Sequence, residues 1–295
     1  MSHLMSHRGD KMNKVIACVD GAACTMAVSD YAAWAARRLE IPLEFLHVLD
    51  RHPERAPVAD LSGSIGLGAQ ESLLEELGAL DEKRSILAQR HGRELLDGLV
   101  LRARNAGLAQ VEGRQRHGSL VEATGDLEPQ ARLFVLGQHH RGDNTGMLHL
   151  DHNVERVVRA AKRPVLVATA AYAAPQRFVV AFDGSAAGRR MISEVARSPL
   201  LRGLHCTVLT VGDETPSALA ELDGVRDQLV GAGFEVSTSM IAGEPEAALP
   251  AYLAAHPIGL LVMGAYGHSR VRHLIVGSIT TTLLRTSPVP VLVLR

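Results

Sequence analysis

Val262-Met263-Gly264-Ala265-Tyr266-Gly267, then nine residues, then Gly277-Ser278-Ile279-Thr280, is the stretch on which the reading of this chain turns. An apolar run ends at a glycine turn, passes through a basic loop, and reaches a second glycine with hydroxyls opening a helix. Glycines let backbone N–H groups approach a ligand closely, and the first turn of a helix has donors with no intrahelical partner. Together they suit phosphate oxygens. A helix over residues 279–285 would stop before Pro288 and lead into the apolar run Val289-Pro290-Val291-Leu292-Val293-Leu294.

Working outward, the same grammar appears twice. Lys14-Val15-Ile16-Ala17-Cys18-Val19-Asp20-Gly21 opens one half and Arg177-Phe178-Val179-Val180-Ala181-Phe182-Asp183-Gly184 the other. Glu44-Phe45-Leu46-His47-Val48-Leu49 then matches Cys206-Thr207-Val208-Leu209-Thr210-Val211, and Arg132-Leu133-Phe134-Val135-Leu136-Gly137 matches Gly259-Leu260-Leu261-Val262-Met263-Gly264. Arg163-Pro164-Val165-Leu166-Val167-Ala168 pairs with the final strand. Such self-similarity indicates an internal duplication. Continuous apolar strands alternating with helical segments (27–39 and 218–232 among them) indicate parallel sheets covered on both faces. The expected fold is α/β, with two repeated open, mostly parallel five-stranded sheets and helices on both faces. The domains span residues 12–170 and 175–295. Residues 236–240 supply a third strand in the second half, and leucines at helical spacing over residues 71–104 predict one or two amphipathic helices inserted in the first.

Composition excludes several classes. The 295 residues carry a formal charge of -1, with 46% hydrophobic and only 3% aromatic residues. That balance offers neither a field for a polyanionic backbone nor stacking platforms, so no nucleic-acid partner is expected. No run approaches the roughly 20 apolar residues of a membrane-spanning helix. The N-terminal stretch lacks the apolar core of a secretory signal, and the three cysteines show no CxxC or Cys/His zinc spacing, so a reducing cytoplasm is expected.

These residues resemble the universal stress protein family in its tandem form, over nearly everything from Lys14 to Arg295. Gly264-x-x-Gly267, nine residues, then Gly277-Ser278 matches the family's ATP-binding signature. The resemblance implies that Asp183 is the acidic residue at the end of strand one and that Val211 lies beside the adenine. It also implies that Met263 lines the base or ribose, while Gly264, Gly267, Gly277, Ser278, Ile279 and Thr280 surround ribose and triphosphate. His268 and Arg270, with Arg272 and His273, add basic side chains to the loop. Independently of the family, an open parallel sheet places ligands outside the carboxyl ends of its strands, where Asp183, Val211 and Gly264 are expected to converge. Asp183 also has the simpler reading of capping the helix that follows.

The first half departs from the signature. His140 stands three residues after Gly137, and Asp151-His152 occupies the place of Gly277-Ser278. An acidic side chain at a helix N-terminus satisfies that terminus and repels phosphate, so tight ATP binding is expected only in the second half. His139, His140, His149 and His152 with Asp151 invite a metal reading, but their spacing closes no ligand set. Mg2+ would arrive with the triphosphate.

The chain lacks the Gly-x-x-x-x-Gly-Lys-Ser/Thr pattern and shows no nucleophile–base pair, so any ATP hydrolysis is expected to be slow. The leading reading is an ATP-binding sensor or regulatory protein acting on a protein partner. An adenine-nucleotide hydrolase or adenylyl transferase, and a structural dimerisation protein without nucleotide, remain the alternatives. The two final strands, Val165–Ala168 and Val291–Leu294, begin after prolines and are expected to pair the halves pseudo-symmetrically, with the first-half insertion free to support a homodimer.

Overall fold

The structure is a computed structural model. It describes residues 13–49, 67–138, 140–142, 148–150, 152–264 and 278–295, with backbone alone at 67–75, 140–142, 148–150, 152 and 278.

The first half begins with β1 (Lys14–Val19), whose residues alternate between two buried faces. Gly21, at φ +81°, turns the chain into α1 (Thr25–Leu39). That helix buries Ala27, Val28, Tyr31, Ala32, Ala35 and Ala36 and ends where Glu40 takes a left-handed conformation, φ 54°. Arg37 and Arg38 in its last turn complement the helix dipole. β2 (Leu43–Leu49), α2 (Leu67–Asn105) and β3 (Val111–His117) follow. Then come α3 (Leu120–Leu127), β4 (Ala131–Gly137), the short strands β5 (His140–Gly142) and β6 (Leu148–Leu150), α4 (His152–Ala160) and β7 (Val165–Ala168). A capping box starts α3: Ser119 Oγ accepts from Glu122 N, while Glu122 reaches back to Ser119 N.

The second half runs β8 (Arg177–Ala181), α5 (Ala186–Ala196), β9 (His205–Val211), α6 (Pro216–Gly231), β10 (Val236–Ile241), α7 (Pro245–Ala255), β11 (Leu260–Gly264), α8 (Ser278–Thr286) and β12 (Val291–Leu294). Ser185 and Thr215 cap α5 and α6 through their hydroxyls.

The expectation of two separate five-stranded sheets requires correction. The strands form one ten-stranded sheet in the order β10-β9-β8-β11-β12-β7-β4-β1-β2-β3. Every neighbouring pair is parallel except β12 and β7, which run antiparallel with Val291 opposite Val167, Leu292 opposite Leu166 and Val293 opposite Val165. These are the two strands expected to pair the halves. The sheets fuse because each strand would otherwise expose an apolar edge whose N–H and C=O groups need partners. The antiparallel seam also points the carboxyl ends of the two halves' strands in opposite directions.

Helices α1, α2, α5 and α6 contribute to the core on one face of the sheet, and α3, α4, α7 and α8 to that on the other. The first-half segment between β2 and β3 is not an added element. It is a lengthened counterpart of α6, reaching 39 residues against 16.

Candidate functional site

In the second half the strand order reverses between β8 and β11. The chain leaves β8 for β9 and β10 on one side and returns to β11 and β12 on the other. Their register sets Leu260 opposite Phe178, Leu261 opposite Val179 and Val262 opposite Val180. The following residues, Asp183 beyond β8 and Met263-Gly264 closing β11, therefore emerge side by side at the carboxyl end. Val211 ends β9, the next strand over. This is the crevice where open α/β sheets hold ligands.

Asp183 is exposed, and its Oδ1 accepts a 3.0 Å hydrogen bond from Ser185 N. That contact makes an Asx turn, not the helix cap. The cap is Ser185, whose Oγ accepts from Gly188 N at 2.9 Å. Glycine at 188 is required for this arrangement, since a Cβ there would lie 2.5 Å from Asp183 Oδ1. Arg189 fixes the corner from outside by donating to Gly184 O at 2.7 Å and pairing with Glu221.

Among the described residues, nothing comparable calls for glycine at 264. A Cβ there would meet, among the described residues, only Met191 Sδ at the ordinary contact distance of 3.9 Å. Its φ is not among the positive values seen elsewhere in the chain. Met263 is buried beneath it at 6% exposure, and Val211 is half-buried.

The chain next enters α8. Ser278, Ile279 and Thr280 form its first turn, with Ile279 40% exposed and Thr280 buried. The first-turn N–H groups have no intrahelical acceptor. Gly267, His268, Arg270 and Gly277 lie outside the described residues, as do Arg272 and His273.

The first half repeats the corner with different surroundings. Asp20 Oδ1 accepts from Ala22 N at 2.9 Å and from Thr25 Oγ1 at 3.4 Å. His47, near the end of β2, is buried, and its Nδ1 has no hydrogen-bond partner among the described residues. α2 presses close: a Cβ on Gly92 would lie 2.8 Å from His47 Nδ1 and 2.1 Å from Gln115 Nε2. Burial holds the His47 pKa below the usual histidine value; Asp20 opposes that shift and His91 adds to it.

Cys24 is also buried, its Sγ donating to Gln138 O at 3.2 Å. Burial first, and Asp20 second, raise its pKa, which makes it a poor thiolate. Strands β5 and β6 pair Arg141 with His149 and His140 with Leu150, whereas His139 and Asp151 lie outside the described residues. Among the described residues, no group of three or more His, Cys, Asp and Glu side chains is placed to hold a metal. No described helix is long and apolar enough to cross a membrane.

Sequence reasoning missed the residues that tie the two halves' helices together. Gln138, just past β4, donates from Nε2 to Leu284 O at 2.7 Å and Arg285 O at 3.0 Å, at the C-terminal end of α8. Arg295 does the reciprocal service for α4, donating to Val158 O and to Arg159 O. Thr281 Oγ1 donates to Glu155 Oε1 at 3.0 Å, joining α8 to α4 directly. For Gln138 and Arg295 the one sequence signal is a polar residue immediately after an apolar strand, which is equally the mark of an ordinary loop.

The comparisons agree with this architecture. The model of the universal stress protein family matches the chain twice, over residues 11–169 and 175–295. Universal stress protein Slr1230 of Synechocystis sp. is 33% identical over 287 residues, covering 96% of this chain and 100% of that protein. Universal stress protein MJ0577 of Methanocaldococcus jannaschii is 24% identical over 81 residues, or 28% of this chain and 50% of its own. Among solved structures, a universal stress protein from Archaeoglobus fulgidus superposes with a TM-score of 0.68 at 19% identity, covering 96% of this chain and 98% of that one. With the family matched in each half and the fold shared end to end, this chain belongs to the universal stress protein family in its tandem, two-domain form.

Proposed function

We propose that the second half binds ATP and that the protein uses this binding as a stress-response sensor or regulator, not as the entry to rapid catalysis. The observation that carries the reading is the position of Asp183, Val211, Met263 and Gly264 on adjacent strand ends at the point where strand order reverses. Gly264 supports it: a Cβ there would meet, among the described residues, only Met191 Sδ at 3.9 Å, so the strand end has room for the close approach of a ligand.

In this reading Asp183 accepts from the base or a ribose hydroxyl through the carboxylate oxygen not spent on Ser185. Val211 and Met263 offer apolar surface to the base. Gly264 and Gly267 admit the ribose and phosphates, and Gly277, Ser278, Ile279 and Thr280 present first-turn N–H groups and hydroxyls to the triphosphate. His268 and Arg270 add positive or titratable charge, and Mg2+ comes with the nucleotide. The first half, with Asp151-His152 in place of Gly277-Ser278, does not bind ATP tightly.

Isothermal titration with Mg-ATP tests this, comparing the native chain with Gly264→Val. The native chain is expected to take up a single ATP. The variant should lose at least about tenfold in affinity, or ~1.4 kcal/mol, while its denaturation midpoint stays close to native. Undiminished affinity in the variant would move the ligand elsewhere. Sustained ADP or AMP release on prolonged incubation would replace the regulatory reading with a hydrolase or transferase, and no binding at all would favour the structural alternative.

A further inference from the structure

Among the described side chains of helix α2, burial is confined to its C-terminal part, where Leu96, Leu99 and Ala103 are buried. From Glu76 through Ala88 every residue is exposed, so this stretch runs clear of the body. It exposes Leu77 (43%), Leu80 (52%), Ile86 (58%) and Leu87 (65%). An isolated helix this short is marginal in water without tertiary packing. Gly78 lowers its propensity further, and a Cβ there would meet nothing within 4 Å.

The exposed side chains are ordered. Leu77, Leu80, Arg84, Leu87 and His91 follow one another at alternating spacings of three and four residues, the seam of a heptad repeat. The charges are segregated along the same stretch. Glu76, Asp81 and Glu82 come first, whereas Lys83, Arg84 and Arg90 follow, with Arg93 just beyond and no further acid until Glu94.

We propose that residues 76–91 form an antiparallel two-helix interface with a second copy of this chain. Antiparallel pairing sets the acidic half of one helix on the basic half of the other. Parallel pairing would stack acid on acid and base on base, which is destabilising. The register follows from the seam. Leu77 faces Leu87 of the second copy, Leu80 faces the aliphatic stem of its Arg84, and the same layers recur beyond the two-fold axis. Such a pairing is isologous and closes at two copies. It covers the leucines that the body leaves in water, and it is independent of nucleotide.

Sedimentation velocity of the full chain over a range of concentrations is expected to show a monomer–dimer equilibrium. Leu80→Asp/Leu87→Asp should abolish the dimer without lowering the melting temperature of the body. Orientation is read with Leu77→Cys and Leu87→Cys, because the native Cys18, Cys24 and Cys206 are buried. A mixture of the two variants treated with diamide should cross-link severalfold more than either alone. A monomer at all concentrations would overturn the proposal; if residues 76–90 were also protected from hydrogen exchange, the cover would be the chain's own segment 50–66. A dimer untouched by the double aspartate variant, or cross-links between like variants only, would equally overturn it.

Discussion

The two Asp-Gly corners show how one local solution is put to different ends. At both, the aspartate Oδ1 accepts from the N–H two residues on and the glycine takes a positive φ. Around Asp183 the neighbours are a cap and a surface ion pair. Around Asp20 they include buried His47, held below the usual histidine pKa first by burial. A neutral buried imidazole makes the unfolded chain the better proton acceptor. The contribution of His47 to stability should therefore be complete above about pH 6.5 and be lost as pH falls from there toward its lowered folded value. Unfolding free energies measured by denaturant between neutral and mildly acidic pH should show this decline in the native protein, and His47→Gln should remove that component. The corners themselves were legible in the sequence, because Asp-Gly after an apolar run has few other uses. The burial of His47 was not, because it depends on how closely Gly92 lets α2 approach, a contact far away along the chain.

At the scale of elements, α8 connects the two halves' strand ends. Its first turn holds Ser278, Ile279 and Thr280, and its C-terminus receives the buried amide of Gln138 from the first half. The last carbonyls of a helix need donors, and Gln138 supplies them where solvent does not reach. Gln138→Ala should cost about 1–2 kcal/mol, read as a lower denaturation midpoint. Gln138→Glu should cost more, since a carboxylate would face carbonyl oxygens at the negative end of the helix dipole. Strands and helices with strong patterns were readable from sequence: residues 27–39, 218–232 and 279–285 lie within α1, α6 and α8 to within a residue. β3 was not, because Val111-Glu112-Gly113-Arg114-Gln115-Arg116-His117 carries edge-strand polarity and little apolar alternation. The β5–β6 pair was hidden among histidines and glycine that read as a loop.

At the scale of the whole molecule, the β7–β12 seam makes one sheet of two repeats. Leu166 and Leu292 face each other across it, both essentially inaccessible. Leu292→Ala should destabilise by about 2–5 kcal/mol. Because the sheet is continuous, calorimetry should show one transition shifting as a unit; a variant in which one half melts alone would show that the seam does not couple them. The duplication was plain in the sequence, and the prolines before the two final strands marked them as edges that pair the halves, but the antiparallel register that makes one sheet of them depends on hydrogen bonds that no local pattern encodes.

That seam has a bearing on how the two candidate sites came to differ. In a two-fold pair of identical chains, each substitution appears on both sides and must be tolerated twice. Here the pair is written into one polypeptide, so Asp151-His152 and Gly277-Ser278 occupy corresponding places without constraining each other. One repeat is free to drift while its edge strand still completes the other, and inheritance through a single chain keeps the unequal halves in fixed proportion.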